Sequence, residues 1–280
     1  MDGGLREQAL NAKRDWLSLT LSGLSGPRCT PGMDLAGSML GAIMQTASTT
    51  LYMLPGLAAD ARLFEPQKQV MPQLQTPAWI MPIGRERLET YAKRMAQALQ
   101  TARESSGQRG RYFVGGFSFG GQVALEMVQH LSPKPSGVVL ICGVRSRAQI
   151  LPDFERQQRM ASLVPAFVQR LMYGPYAKHF AKQERLSEEH TALLVGMAKA
   201  NDPAFLNWSS WACATWEGKP KGVANEPGEN GVVVHHLHGE CDSVIPDVRK
   251  QATKTLAAAG HLVTFTHAEA VTAWLQHVVQ

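Results

Sequence analysis

Gly116-Phe117-Ser118-Phe119-Gly120-Gly121 stands just after an apolar run, Tyr112-Phe113-Val114, and just before a stretch in which Val123, Met127 and Leu131 recur at helical spacing. A short apolar run reads as a buried strand, and an apolar stripe of that period reads as a helix packed on one face. Between them there is room only for a sharp turn with a serine at its apex. Glycines two before and two after Ser118 let backbone pass backbone where a Cβ would clash. Such a turn lifts the Ser118 hydroxyl out of the sheet and sets it at a helix N-terminus, with unpaired N–H groups and a positive dipole end. The competing reading is a phosphate-binding turn. The lysine of a P-loop and the G-x-G-x-x-G spacing are both missing from this segment.

The alternation extends outward in both directions. Leu51-Tyr52-Met53-Leu54 reads as a strand ended by Pro55-Gly56. Leu63, Val70, Met71 and Leu74 predict a helix, Ala78 to Met81 a strand, and Leu88, Tyr91, Met95 and Leu99 a second helix. Val138-Val139-Leu140-Ile141 is another buried strand. Strands alternating with amphipathic helices predict an α/β domain with a mostly parallel sheet flanked by helices. From Asp153 to Trp216 only helical patterns occur: Leu163 with Phe167 and Leu171, Leu193 with Met197, then Phe205 to Trp216. Lys219 to Gly231 is a polar linker, Val232-Val233-Val234 resumes the strands, and Val271, Trp274, Leu275 and Val278 mark a last helix. One core built from residues 49–143 and 231–280, interrupted by a helical insertion over 144–230, is therefore expected. Residues 1–48 alternate apolar patches with Gly, Pro and Ser; they are expected to be a partly disordered appendage, with Met33, Met39 and Met44 as alternative starts.

The chain has 280 residues, of which 44% are hydrophobic and 18% charged, ample for a buried core and contrary to disorder throughout. No stretch approaches 18 apolar residues, so no membrane span is expected. The net charge of +5 is not clustered: residues 144–231 hold 11 Lys or Arg against 9 Asp or Glu. With no zinc-finger or RNP-like spacing, nucleic-acid binding is not expected. Cys29, Cys142, Cys213 and Cys241 lie far apart and read as reduced thiols, and no signal peptide precedes them, so a cytoplasmic location is expected.

A serine hydroxyl becomes a nucleophile when a histidine oriented by a carboxylate takes its proton. His238-Gly239-Glu240-Cys241-Asp242-Ser243-Val244-Ile245-Pro246 falls at the end of the strand begun by Val232. A carboxylate there shares the sheet edge of the Ser118 turn. Gly260-His261 follows before the last helix. The order Ser118, Asp242, His261 is one of the known chain orders of such a triad.

From about Thr50 to Gln280 the chain resembles an α/β-hydrolase fold protein. Leu54-Pro55-Gly56-Leu57-Ala58-Ala59-Asp60 resembles that family's oxyanion loop, with Pro55-Gly56 in place of the usual HG. His238-Gly239 through Pro246 resembles its HGxxDxxxP block around the acid, and Ala259-Gly260-His261-Leu262 its AGH block around the base. The interval from Asp242 to His261 is short, as in some branches. The resemblance implies a helical cap over the pocket, Ser118 as nucleophile, Asp242 as acid, His261 as base, and the N–H groups of Leu57 and Phe119 as oxyanion donors. It implies an esterase-like serine hydrolase acting on a small-molecule ester of a small or medium apolar acyl group, with no cofactor. Thioesterase, amidase, C–C hydrolase and acyltransferase chemistry, or ligand binding without catalysis, remain alternatives on the same triad.

Other candidates have blander readings. His235, His236 and His238 resemble a metal set, but strand alternation sends His235 and His236 to opposite faces, so no metal is expected. Glu240 stands two residues before the family's acid position, and Cys241 reads as a small buried neighbour. Asp60 reads as a turn-fixing residue. Trp208, Trp211 and Trp216 read as cap core, with one of them and Met160 or Met172 as candidate pocket lining. His267 is the rival base.

Overall fold

Along each central strand, alternate side chains enter two different cores. In β4 (Gly137–Ile141) Val138 and Leu140 join one apolar cluster, and Val139 and Ile141 the other. In β1 (Thr50–Leu54) Tyr52 and Leu54 face the first and Leu51 and Met53 the second. A strand buried on both faces needs a continuous apolar run, which is how parallel strands covered by helices read in sequence.

The computed structural model describes residues 49–224, 229–246 and 251–280. Besides β1 and β4, the sheet contains β2 (Leu74–Gln75), β3 (Tyr112–Phe117), β5 (Val223–Ala224), β6 (Val232–Gly239) and β7 (Lys254–Leu256). The order is β2-β1-β3-β4-β6-β5, with β7 also paired to β6, and every pairing is parallel. The chain passes from β1 out to the edge at β2 and returns to β3 on the other side of β1. That reversal opens a crevice at the carboxyl ends of β1 and β3, where α/β sheets bind ligands.

The helices are α1 (Glu65–Lys68), α2 (Leu88–Ser105), α3 (Phe119–Met127), α4 (Pro152–Ala161), α5 (Ala166–Gln183), α6 (Glu188–Ala200), α7 (Pro203–Thr215), α8 (Val263–Thr266) and α9 (Ala268–Val278). α2 and α3 pack on one face of the sheet through Tyr91, Met95, Val123 and Met127; α9 packs on the other through Val271 and Leu275. Helices α4 to α7 follow one another between β4 and β5 and belong to the same compact unit as the sheet. Among the described residues no helix is long and apolar enough to cross a membrane. The appendage expected over residues 1–48, Cys29 included, lies outside the described residues.

Several local expectations are corrected. Ala78 to Met81 forms no strand; Pro77 and Pro82 bracket it and take N–H donors from any ladder, so Leu74 pairs with Leu51 instead. The single helix expected from Leu63 to Leu74 is a 3-10 turn, Ala61–Phe64, followed by the one-turn α1, and Val70 is exposed. The linker after Lys219 contains β5, paired with β6 from Val223 to Val232.

The stripe Leu163, Phe167, Leu171 is exposed. α5 buries its small residues instead: Ala177 and Ala181 join Leu194, Val195 and Ala198 of α6 in one apolar cluster, and at Gly174 a Cβ would meet the Lys199 side chain at 2.9 Å. Small residues let two helix axes approach closely. Trp208 and Trp216 are buried, but against the α/β core: Trp208 Nε1 donates to Glu86 O and Trp216 Nε1 to Glu126 Oε1, each at 2.8 Å. Trp211 is half-buried, with Arg85 over its ring.

Candidate active site

Ser118 joins β3 to α3 with φ 51° and ψ −117°, a conformation that costs a non-glycine residue about 1–3 kcal/mol. Its neighbours fix it. Ser118 N–H donates to Ile141 O at 2.9 Å, and Gly121 N–H donates to Ser118 O at 3.0 Å. A Cβ on Gly116 would fall 2.2 Å from the Gly120 carbonyl carbon, and one on Gly120 would fall 2.3 Å from Leu54 O. The two glycines thus press β3, α3 and the end of β1 into contact under the serine.

Leu57 follows β1 and precedes Ala58, which also has a positive φ, 56°. Phe119 is the first residue of α3. The N–H of Phe119 is one of the four that a helix start leaves without an intrahelical acceptor. Both residues line a narrow cleft with Ser118.

Asp242 follows β6 and His261 follows β7, at the same sheet edge. Asp242 Oδ1 accepts from the N–H groups of Val244 and Ile245, each at 2.9 Å. Oδ2 lies 2.8 Å from His261 Nδ1. A carboxylate only accepts, so Nδ1 carries the proton and Nε2 is left as the basic nitrogen. Burial alone would raise the Asp242 carboxyl, but the charge and hydrogen bond of His261, then His238 and the Ile245 N–H, bring it down to about 2. Burial alone would lower His261; the charge and hydrogen bond of Asp242, then Glu184, outweigh it and raise the imidazole. Glu184 also accepts from the Leu262 N–H at 2.9 Å, which ties the loop after β7 to α5.

A second imidazole, which opens the block around the acid and is also a metal candidate in the sequence, meets the same carboxylate. His238 Nε2 is 3.2 Å from Asp242 Oδ2 and 3.0 Å from Ile245 O. Both neighbours are acceptors, so this nitrogen carries a proton. Burial keeps the ring neutral, against the pull of Asp242. The four-residue separation of His238 and Asp242 across a turn is the signal that points to the pair. His235 lies beside Phe113, and His236 faces His238 edge-on at 5.5 Å, so alternation does separate His235 from His236.

Cys142 Sγ, the Asp242 carboxylate and His261 have donor atoms within 4.8 Å of one another. The thiol is a poor metal ligand there: burial, then the Asp242 charge, pushes it well up, and a thiol ligates as thiolate. Glu240 is exposed and accepts from the Ala258 N–H at 3.2 Å, away from His261. Cys241 is exposed, not buried as expected, because the turn after β6 points it outward. His267 is half-buried and bonds Thr266 Oγ1. Asp60 caps the 3-10 turn by accepting from Arg62 N at 3.0 Å.

Two cavities meet at Ser118. The larger, about 400 Å³, is lined by His261, Leu57 and Phe117 together with side chains of α4 to α7, Met172 among them. No tryptophan among the described residues lines it, and Met160 is exposed. The smaller, about 20 Å³, is a cleft between Phe119, Gln122, Val144, Ile150 and Cys213.

A strained serine between strand and helix, a buried Asp–His pair and a parallel sheet with helices on both faces define an α/β hydrolase. The model of the alpha/beta hydrolase family matches residues 83–274, and the chain belongs to that family. Among solved structures it is similar to a thermophilic esterase from Thermogutta terrifontis, at 18% identity over 83% of this chain and 91% of that one, with a TM-score of 0.63. It is similar to the enol-lactonase from Burkholderia xenovorans, at 13% identity over 82% and 90%, with a TM-score of 0.62. It is also similar to MenH from S. aureus, at 15% identity over 84% and 94%, with a TM-score of 0.60. At these identities the likeness is one of fold. No curated protein matches.

Proposed function

We propose that this chain is a serine hydrolase that cleaves a carboxylic ester of a small or medium apolar acyl group through an acyl-enzyme. The observation that carries the reading is the 2.8 Å pair of Asp242 and His261 on a cavity that Ser118 also lines. Ser118 Oγ attacks the ester carbonyl while His261 Nε2 takes its proton. The oxyanion is held by the N–H groups of Leu57 and Phe119, a preorganised arrangement that costs no reorganisation at the moment of reaction. His261 returns the proton to the leaving alcohol, and water releases the acyl group by the reverse use of the same base. Asp242 holds the imidazole tautomer and stabilises the imidazolium. Helices α4 to α7 act as the cap, and their side chains make the larger cavity mostly apolar. The test is a fluorophosphonate probe with mass mapping. Ser118 should be the labelled serine, and Ser118→Ala should lose about 10³-fold or more in kcat while keeping its fold. Undiminished turnover by that variant would remove the assignment.

A further inference from the structure

Resting on that reading, we infer that the two cavities divide the ester unequally: the small cleft takes the acyl side and the large cavity the alcohol side. The preferred substrate is then an ester of a short acid with a bulky, uncharged, apolar alcohol.

The argument starts from where the proton must go. Attack by Ser118 gives a tetrahedral carbon bearing four groups: Ser118 Oγ, the oxyanion, the leaving oxygen and the acyl substituent. The oxyanion points to Leu57 and Phe119. The leaving oxygen must sit within hydrogen-bond reach of His261, which protonates it as the C–O bond breaks. His261 lines the large cavity and does not line the small cleft. The alcohol therefore extends into the large cavity, and the acyl substituent is directed away from the imidazole, along the cleft beside Phe119.

Size follows from volume. At about 20 Å³ against about 400 Å³ the cleft is by far the tighter of the two spaces, so it accepts the smaller part of the ester, a short acyl group. Its walls do not give way easily, since Val144 and Cys213 are nearly fully buried in the core that holds α3 and α7. The large cavity, about 400 Å³, lies within the range of small-molecule sites. Its chemistry follows from its lining. Among the described residues it contains no Lys, Arg, Asp or Glu; its polar groups are neutral ones such as Gln158, Gln169, Tyr173 and Ser210. Nothing there offsets the desolvation of a phosphate or carboxylate buried among these side chains, which favours an uncharged alcohol in the cavity.

The test uses two isomers, octyl acetate and methyl nonanoate, which place the same atoms on opposite sides of the ester. The full chain should hydrolyse octyl acetate with a kcat/KM greater by about 100-fold or more, since even one methylene too many in a tight pocket costs about 10- to 200-fold. A preference for methyl nonanoate, equal rates, or no hydrolysis of either would overturn the division, while fluorophosphonate labelling of Ser118 would leave the serine-hydrolase reading standing. Loss of labelling would instead remove that reading. A second measurement guards against a preference set elsewhere. Ile150→Ala, which widens the cleft outside the reacting groups, should raise kcat/KM for octyl butyrate relative to octyl acetate by about tenfold or more. An unchanged ratio would place the acyl group outside the cleft.

Discussion

His238 Nε2 stands 3.2 Å from Oδ2 of Asp242, the same oxygen that lies 2.8 Å from His261 Nδ1. One carboxylate oxygen therefore serves two imidazoles, one neutral and buried, the other raised and facing the cavity. The other oxygen is held by two backbone N–H groups. A carboxylate so fully accepted is fixed in orientation, and its charge is partly spent before it reaches His261.

Removing the His238 donor should be read in the base. A hydrogen bond to a charged group is worth about 1.5–3 kcal/mol of stability, so His238→Phe should destabilise the fold by about that much. Asp242, less well stabilised, should hold the His261 proton more tightly, and the acid limb of the pH–rate profile should move to higher pH. His238→Gln, which keeps an N–H donor, should recover part of both effects. A lower melting temperature with an unmoved acid limb would mean that His238 only fills space.

The raised His261 fixes the sign of the pH dependence in the parent. A general base works as the neutral imidazole, so kcat/KM should climb through an ionisation above 6.5, the ordinary value of histidine. The groups that set it are Asp242 first and Glu184 second. Asp242→Asn should bring that ionisation down and cost on the order of 10⁴ in kcat. Glu240→Gln should stay within a few-fold, because its carboxylate is exposed. The opposite ranking of the two variants would move the acid to Glu240.

Stability should follow the same pair in acid. The Asp242 carboxyl titrates at about 2 in the folded chain against 3.8 ordinarily, so its contribution is present above 3.8 and lost as pH falls through 2. His261 has the other sign: its folded value is raised, so its contribution is full below 6.5 and fades as pH rises past the raised value. Denaturant melts of the parent and Asp242→Asn should therefore differ most between pH 3.8 and 6.5, narrow as pH rises past the raised His261 value, and converge toward pH 2. A gap that stays constant with pH would detach the pair from stability.

The turn under Ser118 makes a structural prediction. Gly120→Ala would drive a Cβ to 2.3 Å from Leu54 O and 2.4 Å from Pro55 O, both backbone atoms with nowhere to move. It should cost about 1–3 kcal/mol or more and abolish fluorophosphonate labelling even where the fold survives. Gly84→Ala is the control, since it meets nothing within 4 Å and pays only for its φ of 56°. Equal melting temperatures for Gly120→Ala and the parent would contradict the contact.

That turn was also the most legible part of the sequence. Tyr112 to Gly121 must be apolar on both strand faces and glycine-rich where three backbones meet, and few other structures ask for both. Val138 to Ile141 was legible for the same reason. Trp79 and Ile80 misled because burial alone demands apolar residues, with or without a ladder, and here Pro77 and Pro82 remove the ladder. Leu163, Phe167 and Leu171 mislead because bulk does not decide burial, and α5 packs through Ala177 and Ala181. The contact of His238 with Asp242 shows in the sequence only as a four-residue spacing, and whether that spacing becomes a contact depends on how the turn after β6 folds back.

The base carries the last prediction. His261 and His267 are both close to the start of the final helices, and spacing alone leaves them as rivals. They differ in what surrounds them. His261 is buried, with its Nδ1 held by Asp242 and its ring edge-on to Phe117 at 4.9 Å. His267 is half-buried, bonded to Thr266 Oγ1, and among the described residues makes no hydrogen bond or ion pair to a carboxylate. An imidazole without an orienting carboxylate does not present a fixed basic nitrogen to Ser118. His261→Ala should therefore lose about 10³-fold or more in kcat and react slowly with the fluorophosphonate, because the unassisted hydroxyl is a weak nucleophile. His267→Ala should remain within about tenfold of the parent in both assays, as expected of a site outside the reacting groups. Measured together, an active His261→Ala beside an inactive His267→Ala would reverse the assignment and with it the direction in which the leaving alcohol departs.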